Sequence, residues 1–307
     1  MRDLQERKKL IERGMQLAAT LPDITPDHAS EEVKAIYNDI QNILRVPLVN
    51  QLFRTLANYP EYLEQLWQHF RPAFSSNSFE LEADNLREKA LMEALPEIDE
   101  AIWQELDIPE QLRDFQDTIY YVLPKLLLAA STFYEAASGS IPEPRSRRGE
   151  APVSNTQIAA GIAAGTTSVA LVDPKTERPE LKKLFGDIKQ QHGLSLLSSY
   201  YRGMANWPPF LEQAWLAIKP LVGNSEYENL KSFIVDQAQM SMRRLPIRQP
   251  ELKEVDKEQQ EEVIAVLAFF RYKFIPEMLL EAALIKALLD GPAEAYTSRF
   301  SVAVQED

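Results

Sequence analysis

Apolar side chains recur every three or four residues along most of this chain, the spacing that builds one face of an α-helix. Leu4, Leu10, Ile11, Met15, Leu17 and Ala18 predict an amphipathic N-terminal arm, set among mixed charges and suited to packing on the body or on a partner subunit. Leu21-Pro22-Asp23-Ile24-Thr25-Pro26 breaks that pattern. Ser30 then offers an N-cap, with Glu31 and Glu32 in the first turn. Val33, Ile36, Tyr37, Ile40, Ile43 and Leu44 keep helical spacing up to Pro47, whose predecessor is pushed out of the α region. A helix over about 49–57 follows, closed by Asn58 in the left-handed conformation that asparagine tolerates. Pro60 suits the first turn of the next, where no N–H is needed. Further helical stretches are predicted over about 79–95, in short pieces over 97–106, and over about 110–137 with an interruption at Pro124. No stretch alternates as a strand would.

The pattern is written twice. Ala57-Asn58-Tyr59-Pro60-Glu61-Tyr62-Leu63-Glu64-Gln65-Leu66-Trp67 returns as Ala205-Asn206-Trp207-Pro208-Pro209-Phe210-Leu211-Glu212-Gln213-Ala214-Trp215, 148 residues later. Glu32, Asp39, Ile40, Arg54 and Pro72 recur at the same offset as Glu180, Asp187, Ile188, Arg202 and Pro220. Downstream, Leu95-Pro96 returns as Leu245-Pro246 at 150, and Tyr120 and Pro124 as Tyr272 and Pro276 at 152. This period is far longer than that of a solenoid repeat. The economical architecture is all-α: two tandem copies of a multi-helix unit, related by a pseudo-twofold and joined by a long linker. It divides the chain into an arm over 1–20, a first copy over 21–137, a linker with a small-residue segment over 138–170, and a second copy over 171–307. The linker from Ser138 to Asn155 holds Pro142, Pro144 and Pro152 and reads as exposed; Arg145, Arg147 and Arg148 are solvated charges there or, on a sharper reading, an anion or partner contact. The Ala- and Gly-rich residues 156–170 permit close helix packing. Their glycines fit no phosphate-binding fingerprint, because no strand precedes them.

Composition adds exclusions. A formal charge of −13 repels phosphate backbones and argues against nucleic acid as a partner. The absence of cysteine removes disulfides and thiolate chemistry and suits a reducing compartment. No apolar run approaches the ~20 residues of a membrane span, and the charged N-terminus lacks a signal-peptide core. A cytoplasmic protein is expected.

Searches for familiar active sites return little. His28, His69 and His192 have no second histidine at metal-ligand spacing. Ser195, Ser198 and Ser199 lie near His192 in sequence, so a Ser–His pair is conceivable there, although structural roles are favoured for His69 and His192. The Asn-aromatic-Pro phrase reads as a helix–helix corner. Arg54 and Arg202, one per copy, could meet near the pseudo-axis and clamp an anion bidentately; alternatively they pair with Glu64 or Glu212, or cap carbonyls.

The stretches Arg45-Val46-Pro47, Leu56-Ala57-Asn58-Tyr59-Pro60-Glu61-Tyr62-Leu63, Pro124-Lys125-Leu126-Leu127-Leu128, Leu171-Val172-Asp173 and Ala205-Asn206-Trp207-Pro208, in this order and spacing, resemble the group I (DehI-type) 2-haloacid dehalogenases over about residues 21–295. The resemblance implies an all-α homodimer with the active site between two repeats and no metal or organic cofactor. It implies hydrolysis of 2-haloalkanoic acids, in which a second-repeat aspartate activates water and a first-repeat asparagine holds it. This chain departs at those positions. Counting back from Ala205-Asn206-Trp207-Pro208, Tyr200 preceded by Ser199 takes the aspartate's place; counting back from Pro124-Lys125, Leu123 takes the asparagine's. Leu48 stands where an aromatic can follow Arg-Val-Pro. No Asp or Glu lies between Asp187 and Glu212, and no Asn between Asn85 and Asn155, so a small slip of register restores neither.

The expectation is therefore a pocket between the copies, lined by Leu48, Leu123, Ser199 and Tyr200, that binds or transforms an unknown small molecule. Tyrosine, with a pKa near ~10, would act there as a neutral hydrogen-bond donor. The alternatives are an interaction scaffold with a side-chain-filled centre, and a dehalogenase whose working residues have moved.

Overall fold

The protein is described here by a computed structural model covering residues 2–141, 156–175, 178–252 and 256–301. Among these residues the chain is helical, without strands apart from an isolated antiparallel bridge between Ser76 and Gln157. Helix α1 is Arg2–Thr20. Residues 21–137, the first copy expected from the sequence repeat, hold α2 (Glu31–Leu44), α3 (Gln51–Leu56), α4 (Pro60–Phe74), α5 (Asn77–Arg87), α6 (Glu100–Glu105) and α7 (Glu110–Ala137). The second contributes α8 (Pro179–His192), α9 (Ser199–Met204), α10 (Pro208–Ile218), α11 (Ser225–Met242), α12 (Lys257–Phe269) and α13 (Ile275–Asp290), with a π turn, Phe270–Phe274, between the last two. No helix among the described residues is long and apolar enough to cross a membrane.

Side chains at matching positions make matching bonds. The Trp67 indole donates to Asp39 Oδ2 at 2.8 Å, and the Trp215 indole to Asp187 Oδ2 at 2.8 Å. Arg71 and Lys219 complete the same two carboxylates. Asn58 donates its amide to Thr55 O and Pro22 O, and Asn206 to Gly203 O and Ala170 O. These ties fix each corner to the segment that enters its copy. Asn58 thus closes α3 through its side chain, not by adopting left-handed backbone as expected. The left-handed residue is Arg45, at the C-cap of α2 with φ 66°, where the second copy carries Gly193 at φ 62°. A side chain there costs roughly 1 kcal/mol that glycine avoids.

Two further expectations are revised. Helix α5 stops at Arg87, short of 95: the backbone N–H groups of Glu93 and Ala94 are bound by the Glu226 carboxylate of the second copy, at 2.8 and 3.1 Å. Helix α7 runs unbroken through Pro124, because burial on nearly every side holds it together despite one missing N–H. Its counterpart is the one that changes geometry, with the π turn directly ahead of Pro276; a wider turn re-registers the ladder where proline cannot donate. Residues 156–170 form no helix. Their backbone N–H groups at Ile158, Gly161 and Ala163 donate to Ser75, Asn42 and Arg45 of the first copy, in an irregular path with Gly161 at φ 150° and Gly165 at φ 86°. The linker from 142 to 155, with Arg145, Arg147 and Arg148, lies outside the described residues.

The core is continuous across the copies, with α7 packed on α11, α12 and α13. The arm α1 packs on α12 of its own chain. A Cβ on Gly14 would fall 1.9 Å from Ala265 O, so this approach is open only to glycine.

Candidate functional site

A cavity of about 190 Å³ lies among α3, α7, α9 and the start of α13. The first copy supplies Pro47, Leu48 and Val49, then Asn50, Gln51 and Arg54 from the start of α3. Phe115, Ile119, Val122 and Leu123 come from one face of α7, as their spacing of three, four and seven allows. The second copy supplies Ser198, Ser199 and Tyr200 of α9, with Phe274, Ile275 and Met278 at the π turn and the start of α13. Pro26 and Leu171, from the entering segments, also line it. The wall is thus mostly apolar, and among the described residues its one formal charge is Arg54.

Leu48, Leu123, Ser199, Tyr200 and Arg54 all face this space; Arg202 does not. Arg54 donates from Nε to Asp23 Oδ1 at 2.7 Å, from Nη1 to Val49 O at 3.0 Å, and from Nη2 to Ser199 Oγ at 3.0 Å. Arg202 donates from Nε to Val172 O at 3.1 Å and reaches Asp23 Oδ2 at 3.9 Å. The arginines therefore meet, but at Asp23; neither pairs with Glu64 or Glu212. Burial, and then the charge of Arg54, lower the Arg202 guanidinium from its ordinary range. Asp23 went unseen in the sequence because it sits in a proline-bounded break without helical register.

Tyr200 is buried against Phe115, their rings 6.5 Å apart. Gly203 permits this, since a Cβ there would meet the Phe115 ring at 2.3 Å. Burial raises the Tyr200 hydroxyl well above its usual range, and the charge of Glu281 adds to the effect. It stays protonated and donates to Gln116 Oε1. Gln116 in turn donates to Ala282 O at 2.8 Å, so the chain Tyr200–Gln116–Ala282 ties α9 to α7 and α13. Leu123, counted to the asparagine's place, is an apolar wall residue; the amide that meets Tyr200 is Gln116. Its signal was a lone amide within an otherwise apolar helix face.

The serines do not engage His192. Ser198 Oγ caps α9 by accepting from Tyr201 N, and Ser199 Oγ accepts from Arg54. His192 lies instead between two carboxylates, Nδ1 3.4 Å from Glu277 Oε2 and Nε2 3.4 Å from Glu281 Oε1. These separations exceed those of well-formed hydrogen bonds, so the attraction is chiefly coulombic. Burial lowers the imidazolium's pKa, but the two carboxylates outweigh it and push it up to about 10. His69 Nε2 lies 3.0 Å from Arg248 O, and His28 Nδ1 2.8 Å from Thr25 Oγ1. No group of three or more metal-ligating side chains occurs among the described residues.

Known proteins are similar to this chain. A configuration-inverting 2-haloacid dehalogenase of Pseudomonas sp. (strain 113) is 28% identical over 217 residues, 67% of this chain and 69% of that protein. Another configuration-inverting 2-haloacid dehalogenase, from Alcaligenes xylosoxydans xylosoxydans, is 26% identical over 302 residues, 92% of this chain and 99% of its own length. The crystal structure of a D-2-halacid dehalogenase mutant superposes with a TM-score of 0.72 at 21% identity, covering 90% of this chain and 96% of that one, and supports the all-α fold. The model of the family described as halocarboxylic acid dehydrogenase DehI matches residues 47–201, from the cavity loop before α3, through the whole of α7, to Tyr201. With half its length inside that match, the chain belongs to the DehI family, whose relatives here are 2-haloacid dehalogenases.

Proposed function

We propose that this DehI-family member takes a small organic molecule into the cavity between its copies, and binds or transforms it without a carboxylate-activated water. The observation that carries the reading is the cavity wall, on which Arg54 is the one formal charge among the described residues and Tyr200 is a protonated phenol already bonded to Gln116. A carboxylate is the natural general base at neutral pH; a phenol held above its usual range is not one. The volume limits the ligand. Cavities of ~150 Å³ admit benzene, so about 190 Å³ suits a molecule of a few carbons. An open space at Tyr200 also favours a pocket over an interaction scaffold with a filled centre.

The test is chloride release from each enantiomer of 2-chloropropionate beside an active dehalogenase. Background-level release is expected. Binding of propionamide, followed by ligand-observed NMR, is expected to disappear in Leu123→Trp, which fills the cavity, and to weaken in Tyr200→Phe. A second reading, hydrolytic dehalogenation through relocated residues, is favoured by the activities named for the relatives. Sustained enzyme-dependent chloride release would establish it and overturn the first.

A further inference from the structure

The one formal charge on the cavity wall among the described residues is already answered. Arg54 lines the cavity, and Asp23, which does not line it, accepts from Arg54 Nε at 2.7 Å. We propose that the cavity receives uncharged carbonyl compounds and turns ionised acids away, with the Ser199 hydroxyl as the donor that meets the carbonyl oxygen. The proposal rests on the pocket reading above and names its ligand class.

Three observations carry it. The first is the balance of charge. Arg202 lies off the wall, where the charges of Asp23 and Asp173 both act on it. Arg54 and Arg202 are thus matched by two carboxylates. An anion entering the cavity would leave water for a mostly apolar wall and find no unpaired cation, and burial of a charge is tolerated only when it is paired. The field at Tyr200 has the wrong sign as well. Burial raises its hydroxyl first and the charge of Glu281 adds to it, and that same charge opposes an anion beside the phenol. The second observation is the set of polar side chains. Asn50 and Gln51 open α3, and Ser198 and Ser199, 148 positions on, open α9; all four line the cavity and all four are neutral. Asn50 Oδ1 accepts from Leu52 N at 3.0 Å and Ser198 Oγ from Tyr201 N at 3.2 Å, so both serve as helix caps. The Tyr200 hydroxyl is engaged with Gln116. The third is Ser199 itself. Its oxygen accepts from Arg54 Nη2 at 3.0 Å, and its own O–H is left to donate. Accepting from a cation polarises a hydroxyl and makes it the better donor. A carbonyl oxygen answers that donor without bringing a charge to be desolvated. Short alkyl arms on the carbonyl would lie against Leu48, Ile119 and Leu123.

The probes are propionamide, butanone and propionate, which share a shape and differ in charge, titrated against the full chain at neutral pH by ligand-observed NMR. Propionamide and butanone are each expected to bind at least tenfold more tightly than propionate. In Ser199→Ala both neutral affinities are expected to fall by about fivefold. In wild type, the carbonyl carbon resonance of bound, labelled butanone is expected downfield of its position in cyclohexane, as a hydrogen bond to the oxygen requires. That measurement uses no variant, so it decides the matter even if Ser199→Ala, which takes an acceptor from Arg54, folds poorly. Propionate binding as tightly as propionamide overturns the selection against charge. A bound carbonyl that resonates as in cyclohexane, or unchanged affinities in a folded Ser199→Ala, overturns the contact with Ser199. If propionate binds most tightly and Leu123→Trp blocks it, the pocket survives and its uncharged ligand does not; if no probe binds, both readings fall.

Discussion

Each copy buries a cation, and the two are tuned in opposite directions. In the first, Lys125 Nζ donates to Leu44 O at 3.2 Å and to the Glu80 carboxylate, and lies 3.7 Å from the centre of the Tyr121 ring. In the second, the position 152 residues after Lys125 is Glu277, and the position 148 residues after Leu44 is His192. Lysine and carbonyl have become carboxylate and imidazole, so the charges have changed places. Burial opposes the cation in both. Against Lys125 it wins, with Glu80 only partly offsetting it, and the pKa falls to about 8. Against His192 it loses to Glu281 and Glu277, and the pKa rises to about 10. Depth of burial is similar; His192 has two carboxylates in reach, whereas Lys125 has one and is opposed by the charges of Arg87 and Arg45 as well, and that difference decides the sign.

The comparison breaks most readily at Glu281. Glu281→Gln leaves His192 with one carboxylate and removes the charged acceptor of Tyr201 and Tyr227, at an expected cost of roughly 3–5 kcal/mol in urea unfolding. Lys125→Met should cost about 3 kcal/mol, since Glu80 is left charged and buried. Adding Glu80→Gln should recover most of it, because the amide oxygen still accepts from Tyr121. A double variant no more stable than the single would show that the lone charge is not the cause.

The pH dependence sharpens the same contrast. His192 binds more protons folded than unfolded between about 6.5 and about 10, so its contribution is complete below 6.5 and is lost as pH rises through that window. Lys125 binds fewer protons folded than unfolded between about 8 and 10.5, so its contribution grows with pH there. Unfolding free energies at pH 6.5, 8 and 10 should therefore show wild type gaining on Lys125→Met between 8 and 10; parallel curves would refute the assignment. The smallest effects belong to the matched corners. Asp39→Asn and Asp187→Asn should each cost about 1 kcal/mol or less, with Asp39 the larger because its side chain is the less exposed, 28% against 38%.

Much of this was legible in the sequence. Helix periodicity gave the elements, and the Asn-aromatic-Pro phrase measured out the copies, because side-chain-to-backbone ties within a corner are local. Leu48, Leu123, Ser199 and Tyr200 are counted from the separate motifs of the resemblance, and Arg54 comes from the repeat as one of a pair with Arg202; these five line the cavity and Arg202 does not. What stayed hidden depends on partners far away in the chain. Asp23 meets Arg202, Gln116 meets Tyr200, and Glu226 holds the backbone at Glu93 and Ala94 after α5 has ended. Nothing near Pro124 or Pro276 distinguishes the helix that runs through its proline from the one that widens.

The seat of α1 bears on how the protein is made. Gly14 lies against Ala265, 251 residues further along the chain. At roughly 5–20 residues per second, a ribosome releases the first of these surfaces about 12–50 s before the second exists. Helix α1 must wait, amphipathic and unpartnered, until α12 has been made. Native packing of the arm therefore waits on α12, and a fragment ending at the linker would carry α1 without that surface to receive it.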